Sequence, residues 1–156
     1  MTESPQLVPG IDRSIYGMPA FATIAATDLD RTVAWFTEAL DFVELFRMPP
    51  TGDPALVHLR RWRYQDLLVR PAGDDIPTGP GGAVLSFAAV AAELDALAER
   101  ARQFDGGPVE GPHDTAWNTR DVVATSPDGV VVVLTARRPL PDRDAGFEAA
   151  MREWST

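Results

Sequence analysis

The order of apolar and polar positions along this chain runs once and then repeats. Phe21 to Ala26 is a short apolar run suited to a buried strand, and Asp28 follows it as a good helix N-cap, with a carboxylate able to accept a first-turn N–H. Leu29, Val33, Phe36 and Leu40 then recur at spacings of four, three and four, which predicts one amphipathic helix from Asp28 to Leu40. Phe42 to Met48, Leu56 to Trp62 and Asp66 to Arg70 read as strands, with a turn around Thr51, Gly52 and Asp53 between the first two. Pro71 to Gly82 holds three prolines and four glycines, which remove backbone donors and helix propensity together, so it reads as a linker.

Ala83 to Phe87 starts the order again. A helix beginning at Glu93 puts Leu94, Leu97, Ala98 and Ala101 on one face and ends before Gly106 and Gly107. Strands are expected near Val109, at Arg120 to Thr125 and at Val130 to Thr135, the last two joined by the turn Ser126, Pro127, Asp128, Gly129. Leu29-Asp30 and Leu94-Asp95 stand 65 positions apart, which is the main sign of a duplication. The pattern predicts an α+β fold of two βαβββ modules, residues 20–71 and 83–137, joined by a linker at 72–82 in one domain spanning 19–138. An irregular arm at 1–18 precedes it. A helix within 139–156 follows, with Phe147, Ala150, Met151 and Trp154 on one face; it is expected to pack on its own domain or, failing that, on a second subunit.

Composition narrows the chemistry. A chain of 156 residues, 45% apolar and 24% charged, builds one core. The absence of cysteine excludes disulfides, thiolate metal sites and cysteine nucleophiles, and leaves His58 and His113 as the only imidazoles. A formal charge of −9 argues against nucleic acid and against an anionic membrane surface. The same charge would steer a cationic small molecule, or serve solubility alone. No apolar run approaches the ~18 residues of a membrane span, and Met1 to Gly10 lacks the basic and apolar regions of a secretory leader, so a cytoplasmic location is expected.

Ala26, Thr27, Asp28, Leu29, Asp30, then Trp35, Phe36, then Leu40, Asp41, Phe42, resemble the first-module signature of the vicinal-oxygen-chelate superfamily of glyoxalases, bleomycin-resistance proteins and extradiol dioxygenases. Trp-Phe and Leu-Asp-Phe stand where that family usually carries Phe-Tyr and Leu-Gly-Phe. Asp114 to Asp121, with Ser126, Pro127, Asp128 and Gly129, resembles the second-module run of the bleomycin-resistance branch. The resemblance covers residues 18 to 137 and implies two half-open barrels, a site on their concave faces and, in many members, a dimer. It also locates the positions at which catalytic members hold a divalent metal. Counted from the helix caps and the last turn, these fall on Phe21, near Leu68, on Ser86 within a residue or two, and on Val133, with Asp66 the sole nearby carboxylate. One carboxylate does not supply the converging N and O donors that a first-row ion needs, so no metal and no cofactor is expected.

The period of two on Leu56 to Trp62 puts His58, Arg60 and Trp62 on one face, toward the concavity, and Val57 and Leu59 on the other, toward the helices. With Phe21, Phe46, Met48, Trp117 and Arg120 they are the expected ligand-binding residues for a small organic molecule, aromatic or cationic in character. Trp62 and Trp117 serve the cleft or fill core. If the protein is an enzyme, His58 and Asp66 are the candidates for proton transfer and Arg120 for stabilising negative charge. His58 is otherwise a ligand contact, and Arg120 otherwise pairs with Asp121 or Glu110. The leading expectation is sequestration of an antibiotic or natural product by a homodimer, and the alternative is a metal-free isomerase, cyclase or lyase.

Overall fold

The computed structural model describes Gly10, Ile11, Arg13, Met18 and residues 20–155. Most of the arm expected at 1–18 lies outside the described residues. The strand patterns become two four-stranded sheets. In the first, β1 (Phe21–Ala26), β2 (Val43–Met48), β3 (Leu56–Arg60) and β4 (Asp66–Pro71) lie in the order β1-β4-β3-β2, with β1 parallel to β4 and the other pairs antiparallel. In the second, β5 (Val84–Ala88), β6 (Val109–Asp114), β7 (Thr119–Thr125) and β8 (Val131–Arg137) repeat that plan as β5-β8-β7-β6.

One face of each sheet carries the core. Val57, Leu59, Leu67 and Val69 from the first sheet and Val122, Ala124, Val132 and Leu134 from the second are fully buried in a single apolar cluster with the helices. α1 (Leu29–Ala34) is capped by Asp28, whose side chain accepts from the Arg31 N–H, and α2 (Leu94–Gln103) buries the four apolar residues expected of it. An edge-to-face series of rings, Trp35 to Phe36 at 4.8 Å, Phe36 to Phe42 at 5.2 Å and Phe42 to Phe87 at 5.2 Å, carries that core from one module into the other.

The helix predicted as one piece changes form. After Ala34 it continues as a π-helical turn, Trp35–Ala39. Trp35, Phe36, Ala39 and Leu40 all face inward across this turn, each at most 1% exposed. β3 stops at Arg60, so Trp62 lies in the following turn rather than on the strand face. β6 runs on through Gly111, at φ 92°, and Pro112 to Asp114, because a bulge between Glu110 and His113 absorbs them.

The repeat is offset unevenly. Phe21 opposes Asp66 on β1 and β4, and Val84 opposes Val131 on β5 and β8. Phe21 and Val84 are therefore equivalents 63 positions apart, whereas the helix starts Leu29 and Leu94 differ by 65. The extra pair of residues is taken up by a short 3-10 turn, Ala91–Glu93, ahead of α2.

Each module's last turn caps the other module. Asp128, between β7 and β8, accepts from the Thr27 N–H at 3.1 Å and from Thr32 Oγ1 at 2.8 Å, at the start of α1. Reciprocally Arg61 and Gln65, between β3 and β4, donate to the Ala88 carbonyl at the end of β5 (2.6 and 3.0 Å), and the buried Arg61 pairs with Glu93 ahead of α2. The terminal helix α3 (Ala145–Trp154) departs from the expectation that it packs on its own domain. Asn118 holds its start through Asp144 and Glu148, but none of its residues is buried, and Met151 and Trp154 are 47% and 88% exposed.

Candidate functional site

The face of the first sheet away from the helices is the concave one, and alternation along the strands determines what it presents. It carries Phe21 and Thr23 from β1, Asp66, Leu68 and Arg70 from β4, His58 and Arg60 from β3, and Phe46 and Met48 from β2. Its margins are open and apolar: Phe21 is 49%, Phe46 36% and Met48 58% exposed. Its middle is polar and closed. Asp66 Oδ1 accepts from Arg60 Nε at 2.8 Å and meets His58 Nε2 at 2.7 Å, and all three side chains are at most 1% exposed.

A carboxylate oxygen only accepts, so the short contact makes His58 Nε2 the donor whether the ring is neutral or protonated, and directs Nδ1 away from Asp66. The Phe46 ring stands edge-on to the imidazole at 5.2 Å and 90°. Asp66 thus holds a guanidinium and an imidazole against one oxygen, an arrangement that fixes both groups rather than leaving either mobile. The duplication does not repeat it. The register equivalents of His58, Arg60 and Asp66 in the second sheet are Val123, Thr125 and Val131. That sheet's concave face is mixed: Val84, 57% exposed, and the half-buried Val123, Val131 and Val133 alternate with Ser86, Thr125 and the pair in which Thr135 Oγ1 donates to Asp121 Oδ1 at 2.7 Å.

The remaining predicted site residues are dispersed. Trp62 is half-buried in its turn beneath the Arg61 guanidinium, 4.6 Å from the ring centroid. Trp117, 60% exposed, occupies the turn between β6 and β7. Arg120 belongs to the second sheet, on the strand alternation of Val122 and Ala124, and its nearest carboxylate is Asp114 at 3.6 Å rather than Asp121 or Glu110. His58 and Asp66 come together; Arg120 stands in the other module. Arg60 as the second partner of Asp66 was visible only as a shared strand face, and Arg61, Glu93 and Asp128 as inter-module contacts had no signal in the sequence beyond the turn that contains Asp128.

The register also moves one of the positions at which a metal would be held. Because Val84, not Ser86, is the equivalent of Phe21, the four positions carry Phe21, Leu68, Val84 and Val133. None of these side chains offers a lone pair, and no group of three or more His, Cys, Asp or Glu assembles among the described residues. The residues present do not fit a divalent ion.

Among the described residues no helix is long and apolar enough to cross a membrane. Residues 19–134 match the family described as the Glyoxalase/Bleomycin resistance protein/Dioxygenase superfamily. No curated protein matches the chain. Among solved structures it is similar to TioX from Micromonospora sp. ML1 (21% identity, 75% of this chain and 96% of that one, TM-score 0.59). It is similar too to TnmS3, an antibiotic binding protein from Streptomyces sp. CB03234 (20%, 76% and 93%, 0.57), and to FosX, a fosfomycin resistance protein from Listeria monocytogenes (15%, 79% and 92%, 0.56). At these identities the likeness is one of fold.

Proposed function

The chain belongs to the Glyoxalase/Bleomycin resistance protein/Dioxygenase superfamily, and from that premise we propose that it is a metal-independent binding protein that sequesters a small antibiotic or other natural product. The observation that carries this reading is that all four positions at which a chelating fold would hold its ion carry the apolar side chains Phe21, Leu68, Val84 and Val133. Phe21, Phe46 and Met48 supply an exposed aromatic and thioether margin for a flat ring system, with Trp62 and Trp117 as further ring contacts. His58 and Arg60 lie buried beneath that margin, and Arg120, on the core-facing alternation of β7, stands outside it, so the proposed ligand contacts are the exposed apolar ones. A net charge of −9 favours a basic ligand.

The dispersion of the polar groups supports binding over turnover. Proton transfer needs a base within reach of the ligand, and His58 is 1% exposed with its Nε2 engaged by Asp66. The neighbours described as an antibiotic binding protein and as a resistance protein make a small-molecule ligand a natural expectation for this fold. Concave faces with exposed apolar margins, one per module, suit a cytoplasmic homodimer in which a sheet of each copy closes on the ligand.

Titration with a panel of polycyclic and basic natural products, read by tryptophan fluorescence and calorimetry, tests this. The expected result is saturable binding unaffected by EDTA, with the ligand recovered chemically intact. Loss of binding on chelation would overturn the metal-free reading. The His58–Asp66 contact is the one observation favouring the second reading, a metal-free isomerase, cyclase or lyase with His58 and Asp66 as proton-transfer groups and Arg120 as anion stabiliser; recovery of an altered ligand would establish it.

A further inference from the structure

The two sheets leave a cleft where their edge strands approach each other, away from the concave middle. It has a volume of about 350 Å³ and is walled by Ala22 to Ala25 of β1, by Ile76, Pro77 and Pro80 of the linker, and by Ala83, Leu85 and Val130. That volume lies within the roughly 300 to 1,000 Å³ of small-molecule sites. Its side-chain lining is almost wholly apolar. Apart from the Thr23 hydroxyl, the polar groups its lining residues can offer are those of the main chain.

Two hydrogen bonds determine which main-chain groups these are. The Ala26 carbonyl accepts from the Ala72 N–H at 2.9 Å, on the side of β4, and the Thr27 N–H donates to Asp128 at 3.1 Å, on the side of the second module. The N–H and C=O of one strand residue point to the same edge, and those of the next residue to the opposite edge. Ala22 and Ile24 therefore direct their groups to β4, while Thr23 and Ala25 direct theirs outward, where no strand among the described residues pairs with β1. Ala25 is only 3% exposed, so an N–H and a carbonyl face an apolar cleft from a nearly buried residue. Beyond Ala25 the edge is closed by Asp128. The unpaired length thus ends where the cleft does.

We propose that this cleft is a second small-molecule site, which takes a compact apolar molecule bearing a short peptide unit, an N–H and a C=O flanking one α-carbon, by adding it to the outer edge of β1. A single amide-bearing residue laid alongside β1 donates its N–H to the Thr23 carbonyl and accepts from the Ala25 N–H, the pattern of a parallel neighbour. Ile76, Pro80 and Leu85 receive its side chain. An ester or an ether of the same shape lacks the donor, and a charged ligand would lose its hydration against the apolar walls.

The test uses the full chain, labelled with nitrogen-15, and N-acetyl-leucine N′-methylamide as probe, with the analogue methylated on the leucine nitrogen as control. Saturable shifts at the amides of Thr23, Ala25, Ala83 and Leu85, slower hydrogen exchange at Ala25, and affinity for the methylated analogue lower by about tenfold are expected. Ala83→Trp, which fills the cleft from an exposed position, should weaken the probe by a similar factor, and Ile76→Ala, which removes a wall, does so if the first variant fails to fold. Absence of saturable shifts up to the solubility limit, shifts confined to β2 and β3, or equal affinity for the two probes would each overturn the proposal.

Discussion

Asp66 answers two side chains through one oxygen, and it does so from a buried position. Asp66→Asn keeps the shape but removes the charge that offsets Arg60, and a buried ion pair broken on one side costs about 3 to 5 kcal/mol. Urea denaturation should show that loss as a lower midpoint at unchanged slope. Glu44 is a milder case. The Arg47 side chain bonded to it at 2.6 Å holds its carboxyl below the usual range, against the raising effect of partial burial. A depressed folded pKa gives stability that is present above the unfolded value and lost as pH falls through the folded one. The pair is partly exposed, so Glu44→Gln should cost no more than about 1 kcal/mol near neutral pH, a difference that vanishes in acid. The sequence placed His58 and Arg60 on one strand face by alternation, but not their burial, because what covers a residue comes from elsewhere in the chain.

At the scale of elements, backbone geometry and caps decide more than propensity. Gly111 sits at φ 92° in β6, and a Cβ there would lie 2.5 Å from the Asp121 carbonyl oxygen, a backbone atom that cannot swing aside. Gly111→Ala should destabilise by about 1 to 3 kcal/mol, measurable in thermal unfolding. The sequence placed a strand only near Val109; the bulge that carries β6 on to Asp114 depends on its pairing with β7. Asp128 joins two elements that lie 96 to 101 positions apart. Asp128→Ala should cost about 1 kcal/mol, as loss of a helix cap does, and accelerate hydrogen exchange at the Thr27 amide without altering the concave face. The π-helical turn was likewise illegible: a stripe of period 3.6 accounts for Val33, Phe36 and Leu40, and nothing in that period marks where the helix widens.

For the molecule as a whole, among the described residues, the concave margins and α3 both carry large exposed apolar side chains, Phe21, Phe46, Met48 and Val84 on the former and Met151 and Trp154 on the latter. Phe46→Ala and Phe21→Ala should each reduce ligand affinity by about tenfold, with unfolding midpoints near that of the unaltered chain because both residues are already partly solvated. Sedimentation should give twice the chain mass, and Trp154→Ser on α3 reports whether that helix contributes to the contact.

The repeat of strand, helix and three strands, the apolar identity of three of the four metal positions and the two-module plan were determined by the sequence, because period, turn chemistry and side-chain type are local properties. The tertiary structure decided the register of β5, and with it that Val84 rather than Ser86 completes the set; it decided the burial of His58, Arg60 and Asp66, and the reciprocal capping of each module by the other. These are all outcomes of pairing between distant segments. A one-step choice in such pairing reverses which face a side chain occupies, and only the packed core selects among the choices.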